Sequence, residues 1–250
     1  MRSADRQSAG SRAALAVCVA AAGLAAGCTT TMQKAARVQL NSARERVAQS
    51  GVRVSPHDRS TAVRVTRVQV ASSGAASAYV VSVHNVTGRV VSDLPVSVGF
   101  TLGHTAIYLN AGTGLAYFQA HLPAVPAGQT LSWVFVTSRR LPAGVRPFAI
   151  VGARTDPPAS ANAVPRIEAS LAGDASGARV SVRLRNLSGI PQFQLPVYAI
   201  TWHLGHVVAA GTTSIAALLG GGRQVVSVPL VSSGENVGVT TAAAPATILK

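Results

Sequence analysis

The chain repeats itself. Val81, Val83, Asn85, Thr87 and Gly88, followed by Leu94, Pro95 and Val96, are matched 101 residues later by Val182, Leu184, Asn186, Ser188 and Gly189, followed by Leu195, Pro196 and Val197. Upstream, Arg67, Val68 and Gln69 answer to Arg166, Ile167 and Glu168. Downstream, Phe100, Leu102, Gly103 and His104 answer to Trp202, Leu204, Gly205 and His206 at a separation of 102. The extra residue of the second copy falls just after Leu-Pro-Val and predicts a β-bulge there. A duplication on this scale restricts the fold to two copies of one architecture.

Within each copy the hydrophobic period is two. Val180, Val182 and Leu184 alternate with Ser181, Arg183 and Arg185, the pattern of a strand with one face in the core and one in water. Tyr198, Ile200, Trp202 and Leu204 form a second alternating set, for which Val96, Val98, Phe100 and Leu102 are the expected counterparts. Turns are signalled at Asn186 to Gly189, at Gly205, at Gly220 to Gly222, and at Ala127 and Gly128 before Leu131, Trp133 and Phe135. Aromatic residues are 4% of the chain while Gly numbers 23 and Pro 13, which suits short strands joined by turns. The expected fold is all-β: two tandem immunoglobulin-like β-sandwich domains of roughly seven strands each, at 62–154 and 164–250. The linker at 155–163 contains Pro157 and Pro158.

The N-x-[ST]-G turns, the strands ending in Phe100 to His104 and Trp202 to His206, and the glycine turns before the last hydrophobic strands resemble the Ig-like repeats of bacterial surface lipoproteins, including the FxLYD type. Gly103 with His104, and Gly205 with His206, stand where that family has tyrosine and aspartate. The resemblance implies an interaction module and transfers no functional residue. Asn85 and Asn186 also fit an N-glycosylation pattern, but an Asx turn, with the side chain bonding its own backbone, is the expected role.

The N-terminus carries an address. Arg2, Arg6 and Arg12 against Asp5 precede the apolar run Ala13 to Ala26, and Leu24, Ala25, Ala26, Gly27 and Cys28 resemble a bacterial lipoprotein cleavage site. The resemblance implies a signal peptide at 1–27 and a diacylglycerol on the thiol of Cys28. Two alternatives stand beside it: an uncleaved membrane helix within Ala13 to Gln33, and ordinary cleavage after Gly27. All three place the chain at the cell membrane on its extracytoplasmic face, because the arginines stay inside. Cys18 and Cys28 are the only cysteines, so the domains hold neither disulfide nor thiolate metal site.

Residues 28–61 are expected to form a lipid-anchored helical stalk or linker. Met32, Ala36, Leu40, Ala43 and Val47 make one helical stripe, with Lys34, Arg37, Arg44 and Arg46 off it. Such a helix either lies on an anionic membrane or packs on the first domain.

The formal net charge is +14, and removing the signal leaves 19 basic and 7 acidic residues, a net +12. This excess favours anionic envelope partners. The basic residues are spread and lack interleaved aromatics, so no nucleic-acid partner is expected. Nucleophile-elbow, Walker and H-E-x-x-H motifs are absent, and the mature acidic residues do not pair, so an enzyme is not expected. No catalytic residue, cofactor or metal is assigned.

His203 and His206 are the candidates for a metal, but a spacing of three on a strand points them to opposite faces unless the turn at Gly205 folds His206 back. His104, as the repeat of His206, suggests a turn role. The expected function is a lipid-anchored, extracytoplasmic binding or scaffold protein of the bacterial envelope, held to the membrane by its N-terminal lipid. Its partner would be an envelope protein or an anionic envelope polymer, met in part through the face of Ser181, Arg183 and Arg185. The alternative is a metal or small-ligand carrier using surface histidines.

Overall fold

The computed structural model describes residues 53–112, 114–153, 164–173, 178–234 and 238–247. The signal at 1–27, Cys28, the helical stripe from Met32 to Val47 and the linker at 155–163 lie outside them. Among the described residues no helix is long and apolar enough to cross a membrane.

The fold is all-β and antiparallel. The first half contributes β1 (Val63–Ser72), β2 (Ser77–Asn85), β3 (Val96–Leu102), β4 (Thr105–Tyr108), β5 (Thr130–Thr137) and β6 (Arg146–Val151). The second half contributes β7 (Ile167–Leu171), β8 (Arg179–Asn186), β9 (Gln192–His203), β10 (His206–Leu218), β11 (Arg223–Pro229), β12 (Val231–Ser232) and β13 (Val239–Ala243). They pair into four sheets: sheet I, β4-β3-β6; sheet II, β1-β2-β5; sheet III, β12-β10-β9-β13; and sheet IV, β11-β8-β7.

Register shows which faces meet. On one side of sheet II, Tyr79, Val81 and Val83 lie beside Phe135, Trp133 and Leu131. They share a core with Val96, Val98 and Val151 of sheet I. Trp133 is fully buried there, and its Nε1 donates to the Phe118 carbonyl at 2.9 Å. The other side of sheet II presents Ala71, Ala78, Val80 and Val134, and these belong to the same cluster. They are covered by Tyr198, Ile200, Val207 and Ala210 of sheet III, from the second half of the chain. Leu195, Val197 and Ala199, on the opposite face of β9, form a separate core with Val180, Val182 and Leu184 of sheet IV. The central strands β2 of sheet II and β9 of sheet III are thus buried on both faces. They accordingly read as nearly continuous apolar runs, Ala78 to Val81 and Val197 to Ile200, whereas β8 of sheet IV alternates strictly between exposed and buried.

This corrects the expected repeat alignment. The β3–β4 hairpin closes on the pair Leu102 and Thr105, and the β9–β10 hairpin on His203 and His206, so equivalent positions are 101 apart throughout. Val197 and Ala199 therefore answer to Val96 and Val98. Tyr198, Ile200 and Trp202 answer instead to Ser97, Gly99 and Thr101, and form an added apolar face directed at sheet II. The predicted bulge after Leu-Pro-Val does not occur: β9 pairs regularly there, and the register shift falls between Val207 and Ala209 in β10. The first half has six strands rather than seven among the described residues. Gly211 lets β10 pass under the crossing from β11 to β12, since a Cβ there would lie 1.8 Å from the Pro229 carbonyl oxygen.

The two Asn-centred turns form as expected. Asn85 and Asn186 are both fully buried. The Asn85 Oδ1 accepts from the Thr87 backbone N–H at 2.9 Å, and the Asn186 Oδ1 from that of Ser188 at 3.0 Å, which makes each an Asx turn. Each Nδ2 is turned inward to backbone carbonyls, at 2.7 Å to Arg89 and 2.8 Å to Ile190.

Candidate functional site

Sheet IV is the outer layer of the second half, and its solvent face is an array of arginines. Strict alternation along β8 sends Val180, Val182 and Leu184 inward and leaves Arg179, Ser181, Arg183 and Arg185 exposed. Pairing with β11 places Arg223 opposite Arg185, Val225 opposite Arg183, Ser227 opposite Ser181 and Pro229 opposite Arg179. On the other flank, β7 sets Glu168 opposite Arg185 and Ser170 opposite Arg183. Four arginines and one carboxylate thus share one flat face, spaced about 4.8 Å across strands and about 7 Å along them.

None of the four arginines makes an ion pair or a side-chain hydrogen bond with another described residue. Like charges directly opposite on a sheet destabilise it by a few tenths of a kcal/mol or more, so the Arg185 and Arg223 pair costs stability unless an anion lies between the two. Guanidinium groups suit that task, because each presents a planar fork of donors that matches phosphate or carboxylate oxygens two at a time. At the same end of the sheet Leu187, Ile190 and Leu219 are exposed, and Val225 is exposed in the middle of the face, so the basic array has an aliphatic margin.

Arg183 and Arg185 are legible in the sequence as one side of a strand. Arg179 extends the same alternation by two steps beyond Ser181. Arg223 carries no such signal, because it joins the face only through the β8–β11 register.

The hairpin at Gly205 brings two of the histidines together. His203 and His206 face each other in register across a two-residue turn, so the turn does fold His206 back onto the side of His203. Leu204 and Gly205 take φ of 48° and 79°, the positive values a type I′ hairpin requires at both central residues. In the corresponding β3–β4 turn only Gly103 is positive, at 60°, and His104 occupies the second turn position. His104 is therefore not the equivalent of His206. Among the described residues no group of three or more His, Cys, Asp or Glu side chains gathers to hold a metal, so the two imidazoles stand as a pair.

Compared with known proteins, the chain matches no family model, and the curated proteins contain no match to it.

Proposed function

We propose that this is a lipid-anchored, extracytoplasmic binding or scaffold protein of the bacterial cell envelope, without enzymatic activity, whose sheet IV engages an anionic envelope polymer. The carrying observation is the array of Arg179, Arg183, Arg185 and Arg223 on one exposed sheet face, with Glu168 as the lone acidic neighbour. A rigid sheet holds these side chains at regular spacing, which favours a ligand with repeating anionic groups over a single small anion. Each half is read as an Ig-like sandwich, a reading supported by the repeated Asx turns, the antiparallel sheets and the shared strand order of the two copies. The shared core of sheets II and III supports a scaffold role, because it ties the two halves together.

Binding is tested by titrating the full chain with poly(glycerol phosphate) at low and high salt. Arg183→Glu with Arg185→Glu is expected to weaken binding by about tenfold or more at low salt, and salt near 0.5 M is expected to weaken wild-type binding through screening. Both side chains point into solvent, so the fold should be unaffected. Equal affinity of wild type and the double variant would refute the arginine face as the site.

The anchor is tested by mass spectrometry of the N-terminus in a bacterial host. A diacylglyceryl Cys28 is expected in wild type and an unlipidated chain in Cys28→Ala. A wild-type N-terminus that retains residues 1–27, or that begins at an unmodified Cys28, rejects the lipid.

A further inference from the structure

We propose that the cleft between the 3-10 turn Tyr117–Gln119 of the first half and the β9 and β10 strands of the second is a binding site for a neutral saccharide. The cleft has a volume of about 260 Å³, and no charged side chain lines it. Its walls are Tyr117 and Gln119 on one side and Gln194, Pro196, Thr212 and Ser214 on the other. The β9–β10 register sets Ser214 opposite Pro196 and Thr212 opposite Tyr198, which puts both hydroxyls on the side of sheet III that faces the first half. Gln194, Thr212 and Ser214 make no side-chain hydrogen bond with another described residue. Amides and hydroxyls left without internal partners are donors and acceptors suited to a ligand's hydroxyl groups.

Tyr117 supplies the apolar surface. Its hydroxyl donates to the Asp93 carboxylate. Its ring stacks on His121 with centroids 4.2 Å apart and planes within 4° of parallel, while Phe118 meets it edge-on at 5.2 Å. The ring is therefore fixed before any ligand arrives, which lowers the entropy lost on binding. Burial pulls the His121 pKa down to about 4, so the stacked imidazole is neutral at physiological pH and brings no charge to the wall.

The backbone offers an independent sign. Three described non-glycine residues have positive φ, and two of them serve this cleft: Asp93 at 63° holds Tyr117, and Gln194 at 50° lines the opposite wall. Left-handed conformations in such residues cost of order 1 kcal/mol each and concentrate where a side chain must be aimed. A fixed aromatic ring beside free amides and hydroxyls, without charge, complements the C–H faces and hydroxyl edges of a sugar ring.

The inference goes beyond the polyanion reading and does not depend on it. Full-length protein is titrated with chitotetraose, maltotetraose and cellotetraose, followed by calorimetry and saturation-transfer NMR. At least one is expected to bind saturably. Tyr117→Ala is expected to weaken that binding by about tenfold or more. Thr212→Val with Ser214→Ala, which removes two hydroxyls on an outer segment of β10, is expected to weaken it several-fold with thermal unfolding unchanged. Arg183→Glu with Arg185→Glu is expected to leave it intact. The proposal is overturned if none of the three sugars saturates the protein below about 10 mM, if the hydroxyl variant binds like wild type, or if the arginine variant loses the sugar.

Discussion

Asn85→Ala is expected to destabilise the protein by about 4 kcal/mol, measured by urea unfolding. The side chain is fully buried and serves two sets of backbone groups at once. Its Nδ2 donates to the carbonyls of Arg89, Val125 and Pro126 at 2.7, 3.0 and 3.1 Å. Its Oδ1 accepts from the backbone N–H and the hydroxyl of Thr87 at 2.9 and 2.7 Å. Alanine deletes all five bonds at once: the Thr87 N–H loses its acceptor, and the carbonyls of Arg89, Val125 and Pro126 keep only their second donors, the Thr87 hydroxyl and the N–H groups of Val91 and Gln129, at about 1 kcal/mol for each bond lost. Asn85→Asp separates the two roles: it keeps the acceptor of the Asx turn but sets a carboxylate against carbonyl oxygens, so a loss at least as large as that of alanine is expected at neutral pH. Asn186→Ala should cost somewhat less, because its Nδ2 reaches two carbonyls, that of Ile190 at 2.8 Å and that of Leu218 at 3.4 Å. A loss under about 1 kcal/mol for Asn85→Ala would mean that these bonds are replaced by water and contribute little.

Tyr198→Ala is expected to cost about 4 kcal/mol and to lower the stability of both halves together. Tyr198 is 1% exposed, comes from the second half, and lies in the core cluster of the first. The two tryptophans report on the two halves: Trp133 lies in the first core, and Trp202 packs at its margin from β9. Their fluorescence transitions, isolated with Trp133→Phe and Trp202→Phe, should coincide and shift together in Tyr198→Ala. A Trp133 transition unmoved by the substitution would show that the halves unfold separately. Tyr198→Phe should act in the opposite direction. The buried phenol has no hydrogen-bond partner among the described residues, and burial pushes its pKa well up, so deleting the hydroxyl is expected to add about 1 kcal/mol of stability.

Much of the local structure is legible in the residues. The alternation of β8, the Asx turns at Asn85 and Asn186, and the turns at Gly128 and Gly221, with φ of 65° and 69°, follow from chemistry that acts within a few positions of the chain. The repeat was legible as well, but its fine alignment was misleading. The motif Leu-Gly-His recurs at 102, whereas backbone pairing keeps the hairpins at 101. A one-residue offset in a strand exchanges its two faces, so matching Phe100 with Trp202 set a residue of the inner face against one of the added outer face. On the candidate site, Arg183 and Arg185 could be read from the sequence, while Arg223 and the cleft walls could not, since each depends on strands distant in the chain.

The order of residues on its own settles the all-β class, the position of most turns and which side chains share a strand face, because period, glycine and asparagine act locally. Only the tertiary structure decides what covers each face. Ser97, Gly99 and Thr101 in the first copy and Tyr198, Ile200 and Trp202 in the second occupy the same place in the repeat. In the second set Tyr198 and Ile200 are buried and Trp202 partly so in one apolar core with Val80 and Val134, more than 60 positions away, which the small and polar first set does not join. Alternation can mark a face as apolar, but the identity of its partner is set by packing between distant strands, and so are the shared core, the arginine array and the cleft.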